Sequence, residues 1–482
     1  MSDRPRIVVV GGGLAGLSAA LACADAGGAV TVVERRRRLG GLTWSFRHGG
    51  RSIDNGQHVF LRCCTAYLDF LGRIGSASDV ELQGRLDVAV VRPAGPDRPP
   101  VTARLRRRDL PAPLHLSGSL LRYGHLGWRD RMRLGRAAMP LRTVDLDDPG
   151  LDRETFAGYL KRHGQSDRAI DALWELITVA TINLPARQAS AAMGAKVFQT
   201  GLLSDPAAAD IGWSRVPLSH LHGDRAGDAL KRAGAETLLG ERVVAVGRGG
   251  GEGGPLQVRT EGRTVAADAV VIAVPHHAIG DVVPPATFAA QGTLDGLGVS
   301  PIVNVHIVYD RPVTDLPLAA GIDSPIQWVF DRTASSGRAP PQQYLAVTLS
   351  AADAYLGRRP EDLGPEIVAA LGDLFPASRG ATVVDTLVTK ERTATFRAVP
   401  GTGALRPGPL TTIPGLVLAG AWTDTGWPAT MEGAVRSGLT AARAALAAVG
   451  VTAPGRASRT TESTPPRATR PTEHRRLPEE VA

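Results

Sequence analysis

The strongest hydrophobic pattern in the chain covers residues 7–34, IVVVGGGLAGLSAALACADAGGAVTVVE. The unbroken run Ile7, Val8, Val9, Val10 predicts a strand buried on both faces, as in a parallel sheet. The alanine- and leucine-rich segment up to Ala26 predicts a helix, and residues 30–33 predict a second strand with Glu34 at its end. Further strand patterns occur at 242–246, 256–260, 263–266, 268–275 (DAVVIAVP, closed by proline), 302–309, 326–330, 344–350, 383–396 and 416–419. Residues 85–105 alternate weakly between apolar and polar and are punctuated by Pro and Gly, which reads as short strands and turns, and 249–254 is a glycine-rich turn. Helical periodicity marks 65–74, most of 114–200, 220–239, 360–375 and a helix starting near Thr430. Within the long helical region, 167–182 is apolar around most of its circumference, so one face is expected against a pocket or core.

The glycines between the first strand and helix give that pattern a chemical meaning. Gly11 permits the tight turn, Gly13 lets backbone approach a pyrophosphate, and Gly16 allows close helix–strand packing. Gly12, Leu14 and Ala15 complete a turn whose N–H groups and helix dipole suit phosphate, and Glu34 suits a ribose hydroxyl pair. Arg4 and Arg6 ahead of an apolar run imitate a secretory leader, but glycines inside the run and a strand after it argue for mature fold. A second strand–turn–helix at 414–438 predicts a chain that returns to its nucleotide domain.

Composition narrows the class. At 482 residues, two domains are expected, and a hydrophobic share of 43% supplies ample core. Gly, Pro or charge breaks every long apolar run, so no stretch reads as a transmembrane helix. Cys23, Cys63 and Cys64 lack metal-ligand spacing and fit a reducing compartment. The net charge is +8 and the pI about 9.8, carried by arginine clusters at 35–38, 104–108 and 129–136. No nucleic-acid recognition module accompanies them, and the two readings left are an anionic membrane surface as partner and plain solvated arginine. Beyond Gly450 the tail has almost no large apolar residue and is expected to be disordered.

Four features now combine: the fingerprint, the Arg38-Leu39-Gly40-Gly41 turn, the strand ending in VIAVP, and GAWTDTGWPATMEGAVRSG near the end. Together they resemble the flavin-dependent amine oxidase and phytoene desaturase superfamily. Three stretches, residues 54–58 (DNGQH), 326–331 (IQWVFD) and 428–434 (PATMEGA), resemble its squalene-associated branch, the hydroxysqualene dehydroxylases of hopanoid pathways. The resemblance implies an α/β fold, with a Rossmann-like, glutathione-reductase-type FAD-binding domain made of 1–84, 220–290 and 405–450. An α+β substrate domain would be interleaved at 85–219 and 291–404, leaving 451–482 as the tail.

The resemblance implies FAD as cofactor. Glu34, Arg35 and Arg36 would lie at the adenosine ribose, and the Val243 backbone at the adenine. Gly40, Gly41 and Leu42 would pass the pyrophosphate. Gln57 and His58 would sit beside the flavin ring, and Gly420, Ala421, Trp422, Pro428, Ala429, Thr430 and Met431 along the ribityl chain and ring. Leu42 stands where the superfamily often has Arg, and Ala421 where Asp often follows the glycine; each removes a polar contact to the cofactor.

The implied reaction replaces the allylic hydroxyl of a C30 isoprenoid by hydrogen, with an electron donor that the sequence does not name. Ionising that alcohol needs a proton donor, for which His58 and Asp54 are the candidates; Glu432 reads as a helix-start residue. A cytoplasmic protein attached peripherally to the inner face of the membrane is expected. The rival readings are a carotenoid-type desaturase and a non-catalytic prenyl-lipid carrier of the same fold.

Overall fold

The computed structural model describes residues 4–95, 98–250, 254–284, 287, 294–337 and 341–452. The expected disordered tail therefore lies, from residue 453 on, outside the described residues, as do 251–253 of the expected glycine-rich turn.

The apolar run at the start forms the strand Arg6–Val10 in the middle of a five-stranded parallel sheet. Its neighbours are Ala29–Glu34, with Glu236–Leu239 beyond it, and on the other side Ala269–Ile272, with Leu416–Leu418 beyond it. This doubly wound order leaves ligands at the carboxyl ends of the strands. The helix Leu14–Asp25 covers one face, and the terminal helix Met431–Ala448 packs on it at backbone distance. A Cβ on Gly438 would stand 2.1 Å from Ala15 O.

The strand Glu236–Leu239 departs from the helix expected over 220–239. Gly234 takes a left-handed φ of 72° and stops the helix Arg225–Arg232, after which Glu-Thr-Leu-Leu pairs in parallel with Ala29–Glu34. Tertiary pairing overrides local propensity there.

Val243–Arg248, Leu256–Thr260 and Thr264–Ala267 form an antiparallel meander and Ser45–His48 pairs with Arg51–Asp54, while seven further strands build a mixed sheet in the order Val383–Thr395, Ser300–Tyr309, Gln343–Ser350, Trp328–Asp331, Leu318–Gly321, Asp87–Arg92, Val101–Arg106. Of the strand pair or single extended strand that the sequence allows over 383–396, the fold takes the second, one long edge strand. A small sheet, Val59–Leu61, Ile211–Ser214 and Val80–Leu82, bridges the two, and Ile211–Ser214 carries no clear sequence signal. Between the sheets run the helices of 114–203. The expected helix at 167–182 contains a π turn, Ile170–Trp174, between Asp167–Ala169 and Glu175–Ile182, the kind of widening that recurs at functional sites.

Candidate active site

The three fingerprint glycines divide by role. An added Cβ on Gly11, at φ 110°, would lie 2.5 Å from Ala273 O, and one on Gly16 would lie 1.9 Å from Gly11 O. A Cβ on Gly13 meets only Gly41 Cα, at 3.7 Å. The second glycine turn rests on the first: Gly40 N–H donates to Gly12 O at 2.8 Å. The helix Leu14–Asp25 starts at Gly13 without a side-chain cap, so its first N–H groups are left for an anion.

Glu34 ties these pieces together. Its buried carboxylate accepts Gly12 N–H at 2.7 Å and Arg36 N–H at 2.8 Å, which leaves lone pairs for two ribose hydroxyls. Arg35 and Arg36 are exposed. Gly240 and Glu241 donate to the carbonyls of Arg36 and Glu34, bringing buried Val243 alongside. Arg38 donates to Gly41 O at 3.0 Å and stacks 4.1 Å over Trp44, so it holds the turn just before Leu42. This cradle fits a dinucleotide diphosphate.

The loop before the terminal helix is tied by Arg406, which sequence reasoning missed. Its buried guanidinium donates to the carbonyls of Ala421 (3.2 Å), Thr423 (2.5 Å) and Trp427 (2.9 Å). Trp422 Nε1 donates to Val274 O at 3.0 Å, and Gly420 N–H to Ser437 Oγ at 2.8 Å. Pro428 and Ala429 lead to Thr430, whose hydroxyl accepts Gly433 N–H and caps the helix opened by Met431.

Asp54 and His58 sit apart from the large cavity described below. They line a hollow of about 10 Å³ together with Trp213, Phe330 and Arg332. Asp54 accepts Ser45 Oγ (2.7 Å), Leu218 N–H (3.0 Å) and Arg332 Nη2 (3.0 Å), and the ion pair is almost wholly buried. His58 lies deep in the protein although partly open to internal space. Burial lowers its pKa to about 4 against the pull of Asp54, so at neutral pH it is an uncharged imidazole. His222, with Nε2 2.7 Å from the Tyr67 hydroxyl, is lowered to about 3, chiefly by burial and then by His58.

Glu432 serves a helix other than its own. Its carboxylate accepts Ala66 N–H (3.1 Å), Tyr67 N–H (2.7 Å) and Arg436 Nε (2.6 Å). It thereby caps the helix Thr65–Ile74, for which Cys64 supplies no side-chain bond.

The large cavity has a volume of about 330 Å³ and is almost entirely apolar. Trp427, Pro428, Thr430 and Met431 contribute from the loop and terminal helix, Trp328 and Phe330 from the seven-stranded sheet, and Trp174 and Ile177 from the widened helix. Leu116, Leu120, Leu134 and Ala138 supply wall from the segment 114–143, whose outer side exposes Leu114, Leu121, Trp128, Met132 and Met139. Gln57 Nε2 and Trp328 Nε1, both from lining residues, are buried donors without a hydrogen-bond partner. Among the described residues no acidic, cysteine and histidine cluster could hold a metal.

The chain matches the flavin containing amine oxidoreductase family over residues 14–446. It is 30% identical over 458 residues to hydroxysqualene dehydroxylase of Rhodopseudomonas palustris, covering 91% of this chain and 98% of that one. It is 25% identical over 465 residues to 15-cis-phytoene desaturase of Synechococcus elongatus, covering 92% and 96%. Cyclohexylamine oxidase of Brevibacterium oxydans superposes with a TM-score of 0.69 at 19% identity, over 93% of this chain and 100% of that one. With a cradle that fits the dinucleotide and a family match across most of its length, the chain belongs to the flavin containing amine oxidoreductases, as an FAD-dependent oxidoreductase.

Proposed function

We propose that this enzyme replaces the allylic hydroxyl of hydroxysqualene by hydrogen, giving squalene for hopanoid and other triterpenoid synthesis. Its relatives named hydroxysqualene dehydroxylase support this reading. The observation that favours it over a desaturase is the pair of unpartnered donors, Gln57 Nε2 and Trp328 Nε1, among the residues of a mostly apolar lining. A buried donor left unmade costs about 1–3 kcal/mol, which a substrate oxygen recovers and a hydrocarbon polyene does not. The desaturase reading draws on the phytoene and zeta-carotene desaturase relatives. The intact diphosphate cradle speaks against a carrier without catalysis.

Reduced FAD supplies hydride chemistry when bound. The protein's own work is threefold. The fingerprint and Arg38 turns hold the diphosphate, the apolar walls keep water from a developing allylic cation, and Gln57 and Trp328 orient the oxygen. Anaerobic reduced enzyme given hydroxysqualene is expected to yield squalene, with deuterium from labelled flavin at the carbon that lost oxygen. Formation of a more unsaturated product by oxidised enzyme, with no such label transfer, would install the desaturase reading.

The site's location follows from the same substrate. No helix among the described residues is long and apolar enough to cross a membrane. The helix Trp128–Thr143 instead exposes Trp128, Met132 and Met139 beside Arg129, Arg133 and Arg136, while its Leu134 and Ala138 line the cavity. This arrangement supports peripheral attachment to the anionic inner face of the cytoplasmic membrane, with substrate passing directly from lipid. Binding to vesicles containing anionic lipid should weaken steeply with salt and drop at least tenfold in a Trp128→Ser, Met132→Ser variant. Equal binding by that variant would move the contact elsewhere.

A further inference from the structure

We propose that Lys196 is the proton donor to the departing hydroxyl, an inference that rests on the dehydroxylase reading. An alcohol leaves as water only if an acid meets its oxygen, so the acid must face the cavity that holds the substrate. Asp54 and His58 do not line it. Among the described residues only Lys196 and Glu432 bring an ordinarily charged side chain to its lining, and Glu432 is committed to two backbone N–H groups and Arg436.

Lys196 is available. It is half-buried on the helix Ala191–Phe198, and its ammonium lies 5.2 Å from the centre of the Trp427 ring, with no hydrogen bond or ion pair to any described residue. Trp427 also lines the cavity, one residue before Pro428 and the stretch assigned to the flavin. Three charged or titratable groups face the amine: Arg436, whose guanidinium lies 5.0 Å from the same ring, together with Cys63 and Asp147. Burial, and after it Arg436, lowers the Lys196 pKa below the usual lysine value, which makes the ammonium a readier acid.

The charge balance suits a dry site. As the C–O bond breaks, its electron pair stays on oxygen, and a proton from Lys196 Nζ joins it to form water. The amine becomes neutral while the allylic carbon becomes positive, so one positive charge moves through the cavity and none is added. Reduced FAD, when bound, would supply the hydride that the allylic carbon needs and would give up two electrons in doing so, and solvent returns a proton to the Lys196 amine. The Trp427 face, which already accommodates the ammonium, can attract the cation that replaces it.

The test mixes anaerobically reduced holoenzyme with hydroxysqualene and follows flavin reoxidation and product. Lys196→Met and Lys196→Gln should keep wild-type flavin content and KM while slowing reoxidation about 10²–10⁴-fold, with the alkaline limb of the pH profile lost. Lys196→Arg should stay slow, and a small alkylammonium ion should restore part of the rate to Lys196→Ala. In oxidised holoenzyme, bound hydroxysqualene should protect Lys196 from acylation while leaving exposed Lys161 and Lys231 reactive. If wild type consumes hydroxysqualene and the Met and Gln variants match it, or Arg restores full rate, Lys196 is not the acid and the dehydroxylase reading stands. If wild type is inert toward hydroxysqualene, both fall together.

Discussion

Gly13→Val is expected to give a folded, colourless protein, whereas Gly16→Ala is expected to yield little folded protein at all. The contrast follows from what each new methyl group meets. At Gly16 a Cβ would stand 1.9 Å from the Gly11 carbonyl oxygen, a backbone atom that cannot swing aside, and overpacking of this kind costs about 1–3 kcal/mol or more. At Gly13 the backbone is extended, with φ −81° and ψ 177°, which valine adopts readily, and its Cβ meets only Gly41 Cα at 3.7 Å. The protein therefore tolerates the side chain, and the diphosphate does not. Purified Gly13→Val should show no flavin absorbance after gel filtration and should melt like wild-type apoprotein. It should also miss the stabilisation of about 2.7 kcal/mol that a ligand at a hundred times its Kd confers. A wild-type ratio of flavin to protein in this variant would refute the assignment of Gly13.

The second large effect is expected at Arg332. Its guanidinium donates to Asp54 at 3.0 Å and to Ser214 O at 2.7 Å, with both partners of the ion pair buried. Arg332→Met strands a buried carboxylate, a change that costs about 3–5 kcal/mol, whereas removing both charges with packing kept is often neutral. The denaturant midpoint of Arg332→Met should fall accordingly, and Asp54→Asn combined with Arg332→Met should recover most of the loss. The same pair separates structure from chemistry. Asp54→Asn should turn over normally per bound flavin, and a specific loss of turnover with stability intact would make Asp54 an acid after all.

Local spacing made the cofactor half of this site readable. Gly11, Gly13, Gly16 and Glu34 fall within one strand–helix–strand unit, so the cradle needs almost nothing from the rest of the chain to be recognised. The helix Thr65–Ile74 and the strand Ala269–Ile272 were legible for the same reason. What escaped was decided at a distance. Glu432 reads as an ordinary first-turn acid, yet its partners Ala66 and Tyr67 lie more than 360 positions earlier. Arg332 is one arginine among many until the fold sets it against Asp54. Lys196 sits in an unremarkable helical stretch, and only the sheet and loop opposite turn its side chain into part of a cavity wall.

The order of the parallel sheet carries a consequence for how the enzyme is made. Arg6–Val10 emerges from the ribosome early, but its partner Ala269–Ile272 follows only past the middle of the chain and the next strand, Leu416–Leu418, near its end. At about 5–20 residues per second, a strand buried on both faces in the finished protein waits roughly tens of seconds for its second neighbour. Until then one apolar edge is open to other nascent chains. The loop tied by Arg406 follows Leu416–Leu418, so the last parallel strand and that loop are set in place only at the end of synthesis.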